Sequence, residues 1–354
     1  MKGLILSGGA GTRLRPITHT AAKQLVPVAN KPVLFYGLEA MKAAGIREVG
    51  IVVGDTRAEI EAAVGDGSRF GLAVTYLPQE APLGLAHAVL ISEAFLGDEP
   101  FVMYLGDNLL KEGIAPFVQA FAQSDPDALI LLQKVADPQS YGIAELDGDG
   151  RVARLVEKPA EPRSDLALVG VYLFTQAIFD SVKAITPSAR GELEITDAIQ
   201  HMVDRGLRVE PHVVTGWWKD TGRLEDMLEA NRLVLGTIAR DVRGELLETT
   251  LEGAVQIGAG SRLERCTVRG PVVIGAGCRL TDTFVGPYTS ISDGVVVEHA
   301  ELEHSIVLEN SRISHLGTRM SDSLIGRDCV IAHSDARPVA YRFLVGDCCQ
   351  IGIL

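Results

Sequence analysis

The chain has 354 residues, of which 47% are hydrophobic and 22% charged, enough for two domains with buried cores and without the composition of a disordered segment. Its 33 basic and 46 acidic side chains leave a formal net charge of −13, which excludes the usual nucleic-acid or anionic-membrane binder. Apolar runs such as Ala128 to Leu132 fall far short of a membrane span, and Met1-Lys2-Gly3 leads into glycines rather than a signal-peptide core, so a cytoplasmic protein is expected.

Residues 3–6 read as a first strand, followed by Ser7-Gly8-Gly9-Ala10-Gly11-Thr12-Arg13-Leu14-Arg15-Pro16 and then Lys23-Gln24-Leu25-Val26-Pro27-Val28. Three glycines in four positions allow a sharp turn with N–H groups exposed to an anion, and Arg13 and Lys23 supply cations. No Gly-Lys-Ser/Thr follows, and the G-x-G-x-x-G fingerprint is absent, so this is neither a P-loop nor a dinucleotide loop. Strands over 49–53, 73–77 and 101–105 then alternate with helices over 33–44, 57–64 and 86–95. That alternation predicts βαβ units, a mainly parallel sheet covered on both faces, and a ligand beyond the carboxyl ends of its strands.

Gln79, Pro82, Gly84 and Leu85, in Q-x-x-P-x-G-L-A-H-A, suit a base pocket, with an amide for the base edge and a glycine for close approach. Leu105-Gly106-Asp107-Asn108 places Asp107 at the end of an apolar strand, and Trp217-Trp218-Lys219-Asp220-Thr221-Gly222 offers a second acid before a helix. Two carboxylates converging on a triphosphate suit Mg²⁺, which takes one or two carboxylates plus phosphate oxygens and water. The stretch 128–174 is richer in strands and is expected to form an antiparallel extension over the second substrate. Lys158 closes one of these strands and Arg190 precedes a helix; both are candidates to hold phosphate.

After residue 250 no helix is predicted. Apolar residues recur six apart in broken tracks: Leu251, Ile257, Leu263; Val268, Ile274, Leu280; Val285, Ile291, Val297; Val307, Ile313; Ile325, Ile331. A six-residue period predicts a parallel β-helix, with an evenly spaced β-sandwich as the other reading. A nucleotide-binding domain over 1–240 and a repeat domain over 241–354 follow. The five cysteines, Cys266, Cys278, Cys329, Cys348 and Cys349, lack zinc spacing and are expected as reduced thiols.

The glycine signature followed by K-x-L-x-P-V resembles that of the sugar nucleotidyltransferases. With Gly84-Leu85-Ala86, Gly106-Asp107-Asn108, Tyr141-Gly142, Glu157-Lys158-Pro159, Gly191-Glu192-Leu193-Glu194-Ile195-Thr196-Asp197 and Lys219-Asp220-Thr221-Gly222, residues 1 to about 236 are similar to the glucose-1-phosphate thymidylyltransferases. The repeat region is similar to the long form of that family, used in deoxysugar biosynthesis, whose β-helix coils left-handed. The resemblance implies a Rossmann-like domain that binds dTTP through Leu6, Gly8, Gly9, Gly11, Thr12, Arg13, Gln24, Gln79, Pro82, Gly84, Leu85 and Asp107. It implies glucose 1-phosphate held by Tyr141, Gly142, Glu157, Lys158, Val169, Arg190 and Trp218, and Mg²⁺ held by Asp107 and Asp220. Arg13, Lys23, Asp107, Lys158 and Asp220 would carry the chemistry, an in-line attack giving dTDP-glucose and pyrophosphate, in a homo-oligomer. The alternatives are UTP or another hexose 1-phosphate as substrate, an NDP-sugar-sensing subunit without turnover, and an acetyltransferase in the β-helix using His299, His304, His315 or His333.

Overall fold

The alternating apolar strands of the first two hundred residues have two sides to bury, and each side finds its own core. In the computed structural model, which describes residues 1–9, 11–19 and 22–333, Leu4, Leu6, Phe101 and Met103 face one buried cluster. Their strand neighbours Ile5, Val102 and Tyr104 face the other. This is the pattern of a sheet covered on both faces.

In chain order the first unit, Met1–Ile238, comprises β1 (Lys2–Ser7), α1 (Val33–Ala43), β2 (Glu48–Val53), α2 (Arg57–Val64), β3 (Ala73–Pro78), α3 (Leu85–Ile91), α4 (Glu93–Leu96), β4 (Phe101–Leu105) and β5 (Asn108–Leu110). It continues with α5 (Ala115–Ser124), β6 (Ala128–Lys134), β7 (Gly142–Leu146), β8 (Val152–Glu157), β9 (Leu166–Phe174), α6 (Ala177–Ala184), α7 (Ile195–Asp204), β10 (Val209–Val213), β11 (Trp218–Asp220) and α8 (Leu224–Leu235). The main sheet runs β8-β7-β9-β4-β1-β2-β3, with β6 and then β10 attached beside β9. Strands β4, β1, β2 and β3 are mutually parallel, whereas β9 runs antiparallel to β4, β6 and β7. The sheet is thus a mixed, mainly parallel α/β core with an antiparallel extension.

One predicted helix divides in two. The stretch expected as 86–95 is interrupted at Ser92, whose hydroxyl donates to the Ala88 carbonyl at 2.7 Å while α4 starts at Glu93. A serine that bonds back into its own helix offers the backbone an alternative to continued winding.

The second unit, beginning at Ala239, is built from short parallel strands stacked in three sheets of six, six and four. Aligned residues stack in register: Ile257, Ile274, Ile291, Val307 and Ile325 form one column, and Leu263, Leu280, Val297, Ile313 and Ile331 another. This is the architecture of a parallel β-helix rather than a sandwich. Successive turns take seventeen residues, or sixteen and eighteen further on, so every turn shorter than three six-residue rungs drops one or two residues at its corners, which is why the tracks are broken in the sequence. Cys266 and Cys278 are free, buried thiols, and burial pushes both above the usual thiol range. Cys329 is free and half-buried, and Cys348 and Cys349 lie outside the described residues. Among the described residues no helix is long and apolar enough to cross a membrane.

Candidate active site

The carboxyl ends of β1 and β4, with the turn before α3, enclose a cleft of about 350 Å³. It is lined by Leu6, Gly8, Gly9, Arg13, Lys23, Gln24, Gln79, Pro82, Gly84, Leu85 and Asp107, joined by Glu157, Lys158 and Arg190. Two residues expected for the nucleotide do not line it: Gly11 and Thr12 form the start of the short turn Thr12–Leu14 that carries Arg13. Gly84 is required by its surroundings. Its φ is 104°, and a Cβ there would stand 2.4 Å from the carbonyl oxygen of Leu193, so only glycine lets this turn seat against the loop before α7.

A second cavity of about 140 Å³ lies beside it, lined by Tyr141, Gly142, Glu157, Lys158, Trp218 and Asp220, with Leu105, Asn108, Leu168, Gly170, Tyr172 and Thr196. The two share Leu85, Leu105, Glu157 and Lys158. Lys158 follows β8 in a left-handed conformation, φ 42°, sparsely populated for a lysine. Its amide donates to the Tyr141 carbonyl at 3.0 Å, and its Nζ lies 3.6 Å from Glu157 Oε1. Glu157 Oε2 accepts the Thr196 hydroxyl at 2.6 Å. The rings of Tyr141 and Trp218 meet edge to face with centroids 5.3 Å apart.

Two expected contributors to the sugar site sit differently. Val169 is fully buried in the apolar cluster with Ile5 and Val171, while its neighbours Leu168 and Gly170 line the cavity, because side chains alternate along β9. Any contact from residue 169 to a ligand there would come from its main chain. Arg190 lies at the cleft, but its guanidinium is engaged by carboxylates, with Nη2 at 2.7 Å from Glu194 Oε1, 3.4 Å from Glu157 Oε1 and 3.6 Å from Glu192 Oε2. A phosphate would have to share it with these acids.

The two acids expected to bind metal are brought together by backbone pairing. Antiparallel β5 and β11 set Asp220 opposite Asn108, and both the amide and the hydroxyl of Thr221 donate to the Asp107 carbonyl, at 3.0 and 2.8 Å. Burial alone would raise the Asp107 pKa, but the Lys23 charge and hydrogen bonds from Lys23 and Asn108 outweigh it and hold the carboxyl below the usual range. Asp220 is the opposite case. Burial, then the charge of Asp107, pushes it up to about 6, and its buried Oδ1 has no hydrogen-bond partner among the described residues. An orphaned carboxylate oxygen beside a second carboxylate fits a hard divalent cation. No cluster of three or more His, Cys, Asp or Glu ligands occurs among the described residues, so phosphate oxygens and water would complete the shell.

Asn108 is a central residue that the candidate set omitted. It is buried; its Nδ2 donates to Asp107 Oδ1 at 2.8 Å, its Oδ1 accepts from Trp218 Nε1 at 2.5 Å, and its carbonyl accepts the Tyr104 hydroxyl at 2.8 Å. It therefore ties the wall of the smaller cavity to the carboxylate of the larger. In the β-helix, His299, His304 and His315 occupy corners with positive φ: His299 stacks on His315 at 4.8 Å, and His304 pairs with Asp322. His333 donates its amide to the Ser314 carbonyl. These contacts give the histidines a place in the stacking of the coil.

Residues 2–236 match the family model described as nucleotidyl transferase. The chain is 54% identical over its full length to a glucose-1-phosphate thymidylyltransferase of Streptomyces antibioticus, covering 99% of that protein. It is 57% identical to one of Streptomyces griseus, with 98% of both chains covered. A solved structure from Bacillus anthracis, described as a candidate glucose-1-phosphate thymidylyltransferase in complex with sucrose, is 37% identical with a TM-score of 0.62, covering 66% of this chain and 94% of that one.

Proposed function

The chain belongs to the nucleotidyl transferase family, and from that membership we propose that it is a glucose-1-phosphate thymidylyltransferase, joining dTTP to α-D-glucose 1-phosphate with release of pyrophosphate. Two relatives more than half identical and matched end to end carry that activity in their names. The observation that carries the reading to the residues is the pair of adjoining cavities that share Glu157 and Lys158, with Asp107 lining the larger and Asp220 the smaller.

In this reading the larger cleft takes the nucleotide, with Gln79 and Gly84 at the base and Arg13, Lys23 and Gln24 along the phosphates. The smaller cavity takes the hexose against Tyr141, Trp218, Glu157 and Thr196, with its phosphate toward Lys158. An oxygen of the sugar phosphate attacks the α-phosphorus in line; that P–O bond forms as the bond to the β-phosphate bridge breaks, and pyrophosphate departs. The attacking phosphate is already ionised, so no general base is needed. The protein has to bring two anions to about 3–3.5 Å and stabilise the charge that builds on the leaving group. Lys158 offsets the nucleophile's charge, and Arg13 and Lys23 that of the triphosphate. Magnesium held by Asp107 and Asp220 would supply further neutralisation of the nucleotide phosphates. The outer faces of the β-helix are the surfaces proposed for association into a homo-oligomer.

The test is Mg²⁺-dependent pyrophosphate release with glucose 1-phosphate and dTTP, UTP, ATP, CTP or GTP in parallel. A preference for dTTP is expected; release with none of the pairs would overturn the reading.

A further inference from the structure

The base pocket contains one ambiguous recognition element, the side-chain amide of Gln79. An amide can present either an acceptor or two donors to a base edge, and the two orientations select opposite partners. What surrounds Gln79 removes the ambiguity. Its Nε2 lies 3.3 Å from the Gly84 carbonyl oxygen and 3.0 Å from Nδ1 of His87. A backbone carbonyl can only accept, so the nitrogen faces it; Nδ1 of His87 must then also accept, which puts the imidazole proton on Nε2. With both hydrogens of the NH2 group committed, Oε1 is the atom that remains for a ligand. It points toward Gly8, where a Cβ would stand only 3.1 Å away, and Gly8 lines the nucleotide cleft.

We propose that His87 is a positioning residue that sets base selectivity, holding the Gln79 amide with its oxygen toward the base so that the cleft accepts a base bearing a ring N–H. The inference rests on the nucleotidyltransferase reading above. His87 is on the first turn of α3, fixed by Gly84 at the helix start, and does not itself line the cleft. Thymine and uracil present N3–H to such an acceptor, whereas cytosine N3 and adenine N1 are themselves acceptors and would meet Oε1 lone pair to lone pair. A site whose polar group is left unpaired by the wrong ligand discriminates far better than one that only measures size. Because thymine and uracil share the N3–H, His87 contributes nothing to the choice between them.

The experiment measures kcat/KM for dTTP and for CTP, with glucose 1-phosphate, in the wild type, His87→Ala, His87→Gln and His87→Lys. Loss of one hydrogen bond predicts a fall of about fivefold to tenfold in the dTTP/CTP ratio for His87→Ala, from a raised KM for dTTP. The KM for glucose 1-phosphate should not change. Glutamine can offer its own Oε1 to Gln79 Nε2 and should restore the ratio. Lysine, a donor only, should reverse the amide and lower the ratio further. A ratio within twofold of wild type in both His87→Ala and His87→Lys, or a glutamine variant no better than alanine, overturns the assignment. If His87→Ala does not fold, the contrast between Gln and Lys carries the same test. A wild type that releases pyrophosphate with no nucleotide overturns the functional reading instead.

Discussion

Asp107 and Asp220 are half-buried, interacting acids that differ in what neutralises them. Asp107 has Lys23 and Asn108; Asp220 feels the like charge of Asp107, and its buried Oδ1 has no hydrogen-bond partner among the described residues. Asp107→Asn should keep the fold and lower kcat at saturating Mg²⁺ by 10²-fold or more, the scale for losing one electrostatic anchor of a transition state; turnover near wild type would remove the metal role. Asp220→Asn should lower activity too, yet stabilise the metal-free protein at pH 7 by about 1–3 kcal/mol, since it removes a buried charge beside a like charge. The sign follows from linkage: a folded-state pKa of about 6 lies above the unfolded carboxyl's, so the native state holds the proton longer. The Asp220 contribution to stability is therefore greatest at low pH and is lost as pH rises from about 4 to about 6. Denaturant melts of both proteins in EDTA at pH 4.5 and pH 7 check this; a gap that does not widen at pH 7 would contradict it. Lys158→Ala should raise the KM for glucose 1-phosphate at least tenfold while leaving dTTP affinity within about threefold, measured by initial rates and nucleotide titration.

At the scale of elements, the pairing of β5 with β11 joins the two halves of the site. Trp218→Phe keeps the ring against Tyr141 but leaves the buried Asn108 Oδ1 without its donor, a loss of about 1–3 kcal/mol. The expected result is a lower melting temperature with a raised KM for the sugar phosphate; unchanged values for both would mean the bond positions nothing. This bond also marks a limit of what the sequence discloses. The strand-to-loop junctions holding Gly8, Asp107 and Lys158 are legible, because an apolar run ending in glycine or an acid puts those side chains at a strand end. Asn108 was visible within Gly106-Asp107-Asn108, yet nothing local says that an indole 110 residues away will use its oxygen. Val169 shows the converse. Family resemblance supplies a position, whereas the side of the strand on which a residue lies is set by the register of β9 against its neighbours, and that register shifts between Leu168 and Tyr172. The Arg190 environment is equally non-local, since only the packing of β8 against α7 brings Glu157 to it.

Across the whole molecule, the net charge of −13 is not carried into the cleft, whose lining sets the cations Arg13, Lys23, Lys158 and Arg190 against the carboxylates Asp107, Glu157, Glu192 and Glu194. The two units are stabilised by different means, a two-faced α/β core in one and stacked aliphatic columns in the other. In the second, backbone closes on backbone at the corners: a Cβ on Gly258 would lie 2.5 Å from the main-chain carbon of Gly275 one turn away. Gly258→Ala should destabilise that unit by about 1–3 kcal/mol, read as a lower denaturation midpoint, with the kcat/KM ratio between nucleotides unaltered. The stack also acts as a ruler. Turns of sixteen, seventeen and eighteen residues coexist in it, from Ile274 to Ile291, Val307 and Ile325, so a single residue gained or lost at a corner leaves every column aligned. The same change inside a three-residue strand would turn an aliphatic side chain outward on that rung. Insertions and deletions in this region should therefore be confined to corners or come in whole turns, which makes the length of the coil a quantity that evolution can alter only in steps.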